Sequence, residues 1–267
     1  MAAPVPAYSF DNDDPEAVER HTYLAEILDP TTFARLAGLG DLVGRRCLEV
    51  GAGGGSVARW LAARVGPHGE VLATDLNPRH LPAGAGYRVL RHDLVTEPLP
   101  AGPWDVIHAR LVLLHLPERE EVLGRLAAAV APGGALVVEE WATEFGSLVL
   151  AAPSPADADL IDAYQETLVR KILRARGNDP MWAVRVHAAM IGAGLIDVDT
   201  VIGARSWPGG SAGALLIAAN IGQLRAEFLS AGFTPADLDR VLALVADPRL
   251  VLRSHLLYST VGRRPAG

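Results

Sequence analysis

Three carboxylates stand where acids can meet a ligand. Glu49 stands two residues before the run Gly51-Ala52-Gly53-Gly54-Gly55, and Asp75 and Asp93 each end a short apolar stretch. Glycines let the main chain take positive φ and bring bare backbone against a ligand, while the N–H groups of a following helix point out of its first turn. That is the chemistry of holding a nucleotide-like molecule. Asp75 lies twenty residues beyond Gly55, where a carboxylate at a strand end can take both hydroxyls of a ribose. Asp93 is placed to accept from an exocyclic adenine amine, with the Leu94 N–H reaching a ring nitrogen, and Glu49 sets a charge at the opposite end of the ligand. Ser56 stands where a dinucleotide turn has its last glycine. His115 is the leading candidate base, because imidazole titrates in the useful range; a packing or capping histidine is its other reading.

The elements that must position these residues follow from periodicity. Cys47 to Val50 reads as a buried strand running into the glycine turn, and Val57, Leu61 and Val65 recur at helical spacing after it. Further strands are expected at Glu70 to Thr74, Tyr87 to Arg91, Trp104 to His108 and Ala135 to Glu139. Asn77-Pro78 is expected to open a short helix, and Glu118 to Val130 a longer one. Ahead of the first strand, Pro15 to Leu28 and Thr31 to Leu39 read as two helices separated by Asp29-Pro30. Fivefold alternation of strand and helix predicts an α/β fold with a doubly wound parallel sheet and right-handed crossovers. After it come helices at Asp157 to Arg176, Trp182 to Gly192, Ala212 to Leu229 and Pro235 to Val245, with strands at Val198 to Ala204 and Val251 to Val261. Helices inserted among late strands suggest a lid.

Together these residues resemble the class I S-adenosylmethionine-dependent methyltransferases. The likeness is carried by Leu-Glu-Val-Gly-Ala-Gly-Gly-Gly-Ser at the turn, Ala-Thr-Asp-Leu-Asn-Pro after the second strand, Arg-His-Asp-Leu, Trp-Asp-Val-Ile-His-Ala-Arg, and Ala-Pro-Gly-Gly-Ala-Leu-Val-Val-Glu-Glu. It is close over roughly residues 15–141. The resemblance implies a Rossmann-like seven-stranded sheet whose last strand, Val251 to Val261, is inserted antiparallel. It implies S-adenosylmethionine as cofactor, S-adenosylhomocysteine as product, and cofactor roles for Glu49, Gly51, Ala52, Gly53, Gly55, Asp75, Leu76, Asp93 and Leu94, with Ala109 and Arg110 near the methionine part. The stretch from His108 to Pro117 looks like actinobacterial methyltransferases of specialised metabolism, so the expected acceptor is an aromatic small molecule, with oxygen, nitrogen and carbon all open as the methylated atom. Tyr8 and His21 join His115 as catalytic candidates, His21 lying on the helix that covers the cofactor in that family. Tyr23, Trp141, Tyr164 and Trp182 are the substrate-binding candidates, against simple packing.

The expected organisation is an N-terminal arm with cap helices (1–40), a cofactor-binding core (41–145), helical lid insertions with strand six (146–250) and a final strand (251–267). Composition bounds the partners. Half of the 267 residues are hydrophobic, the formal charge is −7, and no basic cluster is longer than the pair Arg263-Arg264; a nucleic-acid footprint is not expected. No run approaches the ~20 apolar residues of a membrane span, and the first residues lack the pattern of a secretory leader. The expectation is therefore a cytoplasmic protein with a small-molecule substrate and no membrane partner. The lone Cys47 reads as core filling, and no cluster has metal-ligand spacing, so no metal is expected. The helices after Ala212 suit either a lid or a homodimer interface. A nicotinamide-dependent oxidoreductase shares the glycine turn and the ribose acid, but Ser56, the Asp93 motif and the lack of a Tyr-x-x-x-Lys pair speak against it. A same-fold protein that binds the cofactor without transferring methyl is the other alternative.

Overall fold

The computed structural model describes Phe10 and residues 12–267. In chain order its elements are α1 (Ala17–Ala37), β1 (Arg46–Val50), α2 (Ser56–Val65), β2 (Glu70–Asp75), β3 (Arg88–Arg91), β4 (Trp104–Arg110), a 3₁₀ turn (Leu113–His115), α3 (Arg119–Ala129) and β5 (Val130–Ala142). There follow β6 (Val149–Ala151), α4 (Pro155–Glu166), a π-helical turn (Thr167–Leu173), a 3₁₀ turn (Arg174–Arg176), α5 (Trp182–Gly192), β7 (Ile196–Gly203), β8 (Ser206–Pro208), α6 (Ala212–Ser230), α7 (Pro235–Ala246), β9 (Val251–Arg253) and β10 (Leu256–Arg263). These form two compact units. One comprises Leu28–Ala142, Met181–Gly203 and Leu257–Gly267, and the other the described residues up to Ile27 with Thr143–Pro180 and Ala204–Leu256.

The first unit is an α/β, Rossmann-like fold around a seven-stranded sheet of order β3-β2-β1-β4-β5-β10-β7. The pairs β1–β2, β1–β4, β2–β3 and β4–β5 are parallel, and β10 runs antiparallel to β7. A parallel sheet is covered on both faces and so needs apolar residues on both. Leu48, Val50, Ile107, Leu126, Leu136 and Trp182 pack in one core, while Cys47, Val57, Leu61, Val71, Val106 and Val137 pack in the other. Each such buried aliphatic side chain contributes roughly 1.5–3 kcal/mol, and the alternation along β1 is what turns Glu49 toward the same face as Cys47.

The second unit gathers α4, α6 and α7 with a three-stranded sheet of order β6-β9-β8, antiparallel throughout. Tyr164 of α4 stacks on Phe228 of α6 at 4.9 Å between ring centres. Ser154 caps α4 through the Asp157 N–H, and a Thr234–Asp237 capping box starts α7. Among the described residues no helix is long and apolar enough to cross a membrane.

Several expected boundaries are corrected. The two N-terminal helices are one, α1, with Pro30 inside it. Proline removes a helical hydrogen bond, but Asp29 and Thr32 on either side of it are tied to Arg110 and Glu139, and these tertiary bonds hold the helix through the break. No helix opens at Asn77-Pro78, because the Asn77 N–H is captured by Asp75 Oδ1 at 2.9 Å, an alternative to helical bonding that Asp offers readily. The expected strand Val251 to Val261 divides at Ser254, whose N–H donates to Arg205 O and whose Oγ accepts from Arg205 N. Its first part joins the small sheet and its second the large one. The π-helical turn interrupts the helix expected at Asp157 to Arg176. Trp182, expected on a lid, is fully buried in the core of the sheet unit.

Trp182→Ala is therefore expected to lower unfolding free energy by roughly 3–5 kcal/mol, the cost of removing a buried aromatic. Urea denaturation measures it; a loss under ~1 kcal/mol would put the indole on a surface.

Candidate functional site

The site is built at the C-terminal ends of β1, β2 and β4. Gly51, Gly53 and Gly55 take φ of 64°, 52° and 76°, conformations open to glycine at little cost. Two of them have packing reasons as well: a Cβ on Gly51 would strike Val112 Cγ2, and one on Gly55 would lie 2.5 Å from Tyr87 Oη. The turn is tied down by Ala52 N–H donating to Thr74 O and Gly55 N–H to Ala52 O. Gly53 N–H donates to Asp75 Oδ2 at 2.9 Å. Gly51 to Gly54 are half-exposed main chain, and Leu76, next to Asp75, is 47% exposed. Burial pushes the Asp75 carboxyl up, against the N–H groups of Asn77 and Gly53.

Beneath the turn lies a buried polar chain. Glu49 on β1 stands opposite His108 on β4 in the strand register, with 2.8 Å between Glu49 Oε2 and His108 Nδ1. The other ring nitrogen lies 3.4 Å from Glu139 Oε2. Glu139 also accepts from Thr32 Oγ1 and, at 2.6 Å, from Ser259 Oγ. Burial alone would lower the His108 value, but Glu49 and Glu139 outweigh it and raise the imidazole to about 9. Burial would likewise raise Glu139, which the His108 hydrogen bond instead holds down at about 2. Thr32 Oγ1 accepts from Arg110 Nη1 at 2.9 Å, and the same nitrogen donates to Asp29 Oδ1 at 2.9 Å. Ser56 Oγ donates to Asp29 at 3.0 Å. Arg110 is thus anchored to α1 and to the start of α2, beside the turn, while Ala109 is fully buried in β4.

At the end of β4 the chain turns sharply. Leu111 has φ 54°, a conformation that costs a non-glycine residue roughly 1–3 kcal/mol, and its N–H donates to Glu139 O at 2.8 Å. The 3₁₀ turn that follows carries His115, half-buried. Glu140, buried on β5, receives the Leu113 and Leu114 N–H groups on Oε1 at 2.7 and 3.3 Å. Burial pushes Glu140 up to about 8, those N–H groups acting in the other direction.

The other sequence-derived candidates scatter. Asp93 closes its own turn, accepting from Val95 N–H, Thr96 N–H and Thr96 Oγ1; its slight burial is outweighed by these bonds, and its pKa is lowered. Leu94 is a core residue. Tyr8 lies outside the described residues. His21 and Tyr23 lie on α1, half-buried, and Tyr23 Oη donates to Glu19 at 2.6 Å, which raises the phenol to about 12. Trp141 is 8% exposed at the end of β5. Tyr164 is buried against Phe228, and Trp182 is buried in the core of the sheet unit, so each packs rather than lining a pocket. Sequence reasoning missed His108, Glu139, Glu140, Asp29 and Thr32. The signal for the first three was a polar residue inside an apolar strand, Val-Ile-His-Ala and Val-Val-Glu-Glu, which needs a partner when buried.

With this geometry in place, comparison with known proteins gives a consistent picture. A family described as a methyltransferase domain matches residues 19–180. The chain is 44% identical over 111 residues to "Methyltransferase str2" of Strobilurus tenacellus, covering 39% of this chain and 39% of that protein. It is 26% identical over 146 residues to the ubiquinone/menaquinone biosynthesis C-methyltransferase UbiE of Stutzerimonas stutzeri (strain A1501), covering 51% and 54%. The chain thus spans between about two fifths and about half of the length of these curated relatives. Among solved structures, the Bacillus halodurans C-125 protein BH2331 is similar at a TM-score of 0.56 and 17% identity, over 87% of this chain and 98% of that one. YcgJ of Bacillus subtilis is similar at 0.50 and 12%, over 84% and 93%. At these identities the structures speak to the fold.

The buried chain makes stability pH-dependent. His108 is raised from 6.5 to about 9, so its contribution is complete below pH 6.5 and is lost as pH climbs through about 9. Glu139 is lowered from 4.5 to about 2, so its contribution is complete above pH 4.5 and is lost on acidification through about 2. Thermal melts should therefore fall between pH 6.5 and 9. Glu140, raised from 4.5 to about 8, adds to the fall up to that pH. His108→Gln should lose roughly 3–5 kcal/mol at pH 6 by leaving two carboxylates unpaired, and should flatten the slope between about pH 8 and 9, where the Glu140 contribution is spent; an unchanged slope there in the variant removes His108 as its source.

Proposed function

The chain belongs to the methyltransferase-domain family, S-adenosylmethionine-dependent enzymes, and from that premise we propose that its methyl acceptor is a small aromatic natural product. The observation that carries the cofactor side is the cradle of half-exposed glycine backbone clasped by Asp75, with an exposed leucine beside it. These residues fit the group. Left-handed glycines give it bare main chain at Gly51 and Gly53, Asp75 is the acceptor for the ribose hydroxyls, Leu76 is an apolar face for the adenine, and Glu49 stands at the amino end. Asp93 retains lone pairs for the adenine amine beyond those its own turn uses.

The cofactor supplies a methyl carbon on a cationic sulfur. Transfer from it is an in-line displacement, so the chain's work is to align the acceptor atom and exclude water. His115 is the proposed base, an imidazole nitrogen taking the proton that a phenol or an indole nitrogen loses; Glu140 fixes the turn from which His115 projects. Arg110, held by Asp29 and Thr32, keeps a positive charge at a fixed place beside the turn. His21 and Tyr23 of α1, Trp141 and the N-terminal Tyr8 are the remaining candidates for contact with cofactor or acceptor. The part that the UbiE relative, by its name, has in quinone biosynthesis supports an uncharged ring. The natural-product class is part of the proposal and rests on reading the His108 to Pro117 stretch as resembling actinobacterial enzymes; the named relatives do not include one from that source. Oxygen, nitrogen and carbon acceptors all fit.

Two variants separate the roles. Asp75→Ala should weaken S-adenosylhomocysteine by roughly ten- to a hundredfold in calorimetry, the value of one or two charge-assisted hydrogen bonds. His115→Asn should keep that affinity and lower turnover about 10²-fold or more, read as the gain of one CH₂ unit by mass spectrometry on a panel of phenols, indoles and amines. A parallel loss of cofactor affinity in His115→Asn makes the histidine structural.

A further inference from the structure

A second set of polar groups belongs to the other unit and shares no residue with the cofactor cradle. In the unit that contains α4, α6 and α7, a cavity of about 240 Å³ is walled by residues 143–147 on one side and by α4 with its π-helical extension on the other. Its charged lining is mostly acidic. Arg170 Nε donates to Glu144 Oε1 at 2.9 Å and its Nη1 lies 3.6 Å from Glu166, so one guanidinium serves two carboxylates, and Asp162, held by the Ser147 hydroxyl at 2.9 Å, adds a third. Ion pairs of this kind at a surface are ordinary and make no site by themselves.

The deeper lining is different. Gln165 is only 8% exposed and faces this cavity, and among the described residues its Nε2 has no hydrogen-bond partner. The Thr143 hydroxyl, on the opposite wall, is buried and equally without a partner among them. Buried polar atoms are nearly always satisfied, and an unsatisfied one calls for an explanation. Here two of them line one space, and both can donate. The π-helical turn Thr167–Leu173 begins two residues after Gln165 and carries Val169 and Arg170 of the wall. Such wide turns are rare and frequent at functional sites.

We propose that this cavity is a binding site for a small neutral or cationic molecule, whose acceptor oxygen takes the hydrogen bonds of Gln165 Nε2 and Thr143 Oγ1. The sign of the charge follows from the lining, where three carboxylates face one guanidinium. The size follows from the volume, which is below the ~300–1,000 Å³ of a drug-sized pocket and admits a ligand of a few heavy atoms or one end of a larger one. A carbonyl oxygen with an ammonium two or three bonds away satisfies both ends of the cavity. The site is independent of the methyl-transfer reading, since it uses none of the residues assigned to cofactor or base.

Glycinamide is the probe, because it joins a carbonyl oxygen to an ammonium. Acetate is its anionic counterpart, and propylammonium carries the charge without the oxygen. Titrated into the whole 267-residue chain and followed by amide NMR shifts, glycinamide should bind saturably with shifts at Thr143, Gln165 and their neighbours. Propylammonium should bind at least several-fold more weakly, and acetate not at all. The double substitution Gln165→Met with Thr143→Val should weaken glycinamide at least tenfold. Its melting temperature should be unchanged or higher, because it removes two unpaired polar groups, and this separates a lost site from a damaged fold. The proposal is overturned if glycinamide gives no saturable shifts, if acetate binds as well, or if the double variant retains wild-type affinity. None of these outcomes bears on S-adenosylhomocysteine binding, which is measured separately.

Discussion

The hydrogen bond from Gly53 N–H to Asp75 Oδ2 fastens the edge of the sheet on which the rest of the site depends. It joins the end of β2 to the loop that leaves β1, and with the Ala52 to Thr74 bond it fixes three left-handed glycines in one turn. A carboxylate so placed is drawn out of water, and burial raises its pKa, while backbone N–H groups on both oxygens work to keep it charged. The same bonds aim it across the turn. Neighbouring packing then leaves little freedom: Val112 fills the space beside Gly51, and Tyr87 and Leu81 fill that beside Gly55.

Under this turn the strands are joined by charge as well as by their ladders. Two carboxylates, on β1 and β5, flank one imidazolium on β4, and hydroxyls from α1 and β10 complete the second carboxylate. Buried ion pairs are poor sources of net stability because desolvation offsets their attraction. What this one does is fix register. Glu49 and His108 meet only if β1 and β4 are aligned as they are, and a one-residue slip would place Glu49 on the opposite face. The excess of one carboxylate over the imidazolium also leaves the region beneath the turn electronegative, which suits a ligand with a cationic sulfur and an ammonium. On the far side of β5 the adjacent Glu140 holds the backbone of the 3₁₀ turn carrying His115, so consecutive residues of one strand serve opposite faces.

The parallel half of the fold was readable because its signals are local. Glycine turns, a strand-ending acid and apolar periodicity fix β1 through β5 and α2 within a few residues. What was misread depends on contacts distant in sequence. Pro30 stops a helix by its own chemistry, yet the bonds of Asp29 and Thr32 to residues about 80 and 107 positions away carry α1 through it. The strand at Val251 reads as continuous until Ser254 is seen bonded to Arg205. Trp182 and Tyr164 are aromatic residues in amphipathic helices, and sequence alone does not distinguish a core from a pocket for them. His108 and Glu139 looked like single polar interruptions of strands, and only the sheet order shows that they face each other.

The turn from Gly51 to Gly55 is proposed to carry the methionine end of a sulfonium cofactor, with its ribose on Asp75, and not the pyrophosphate of a dinucleotide. Calorimetry of the purified chain with S-adenosylhomocysteine and with NAD tests it most directly. Saturable binding of S-adenosylhomocysteine with no heat from NAD is the predicted result. Binding of NAD alone would contradict it.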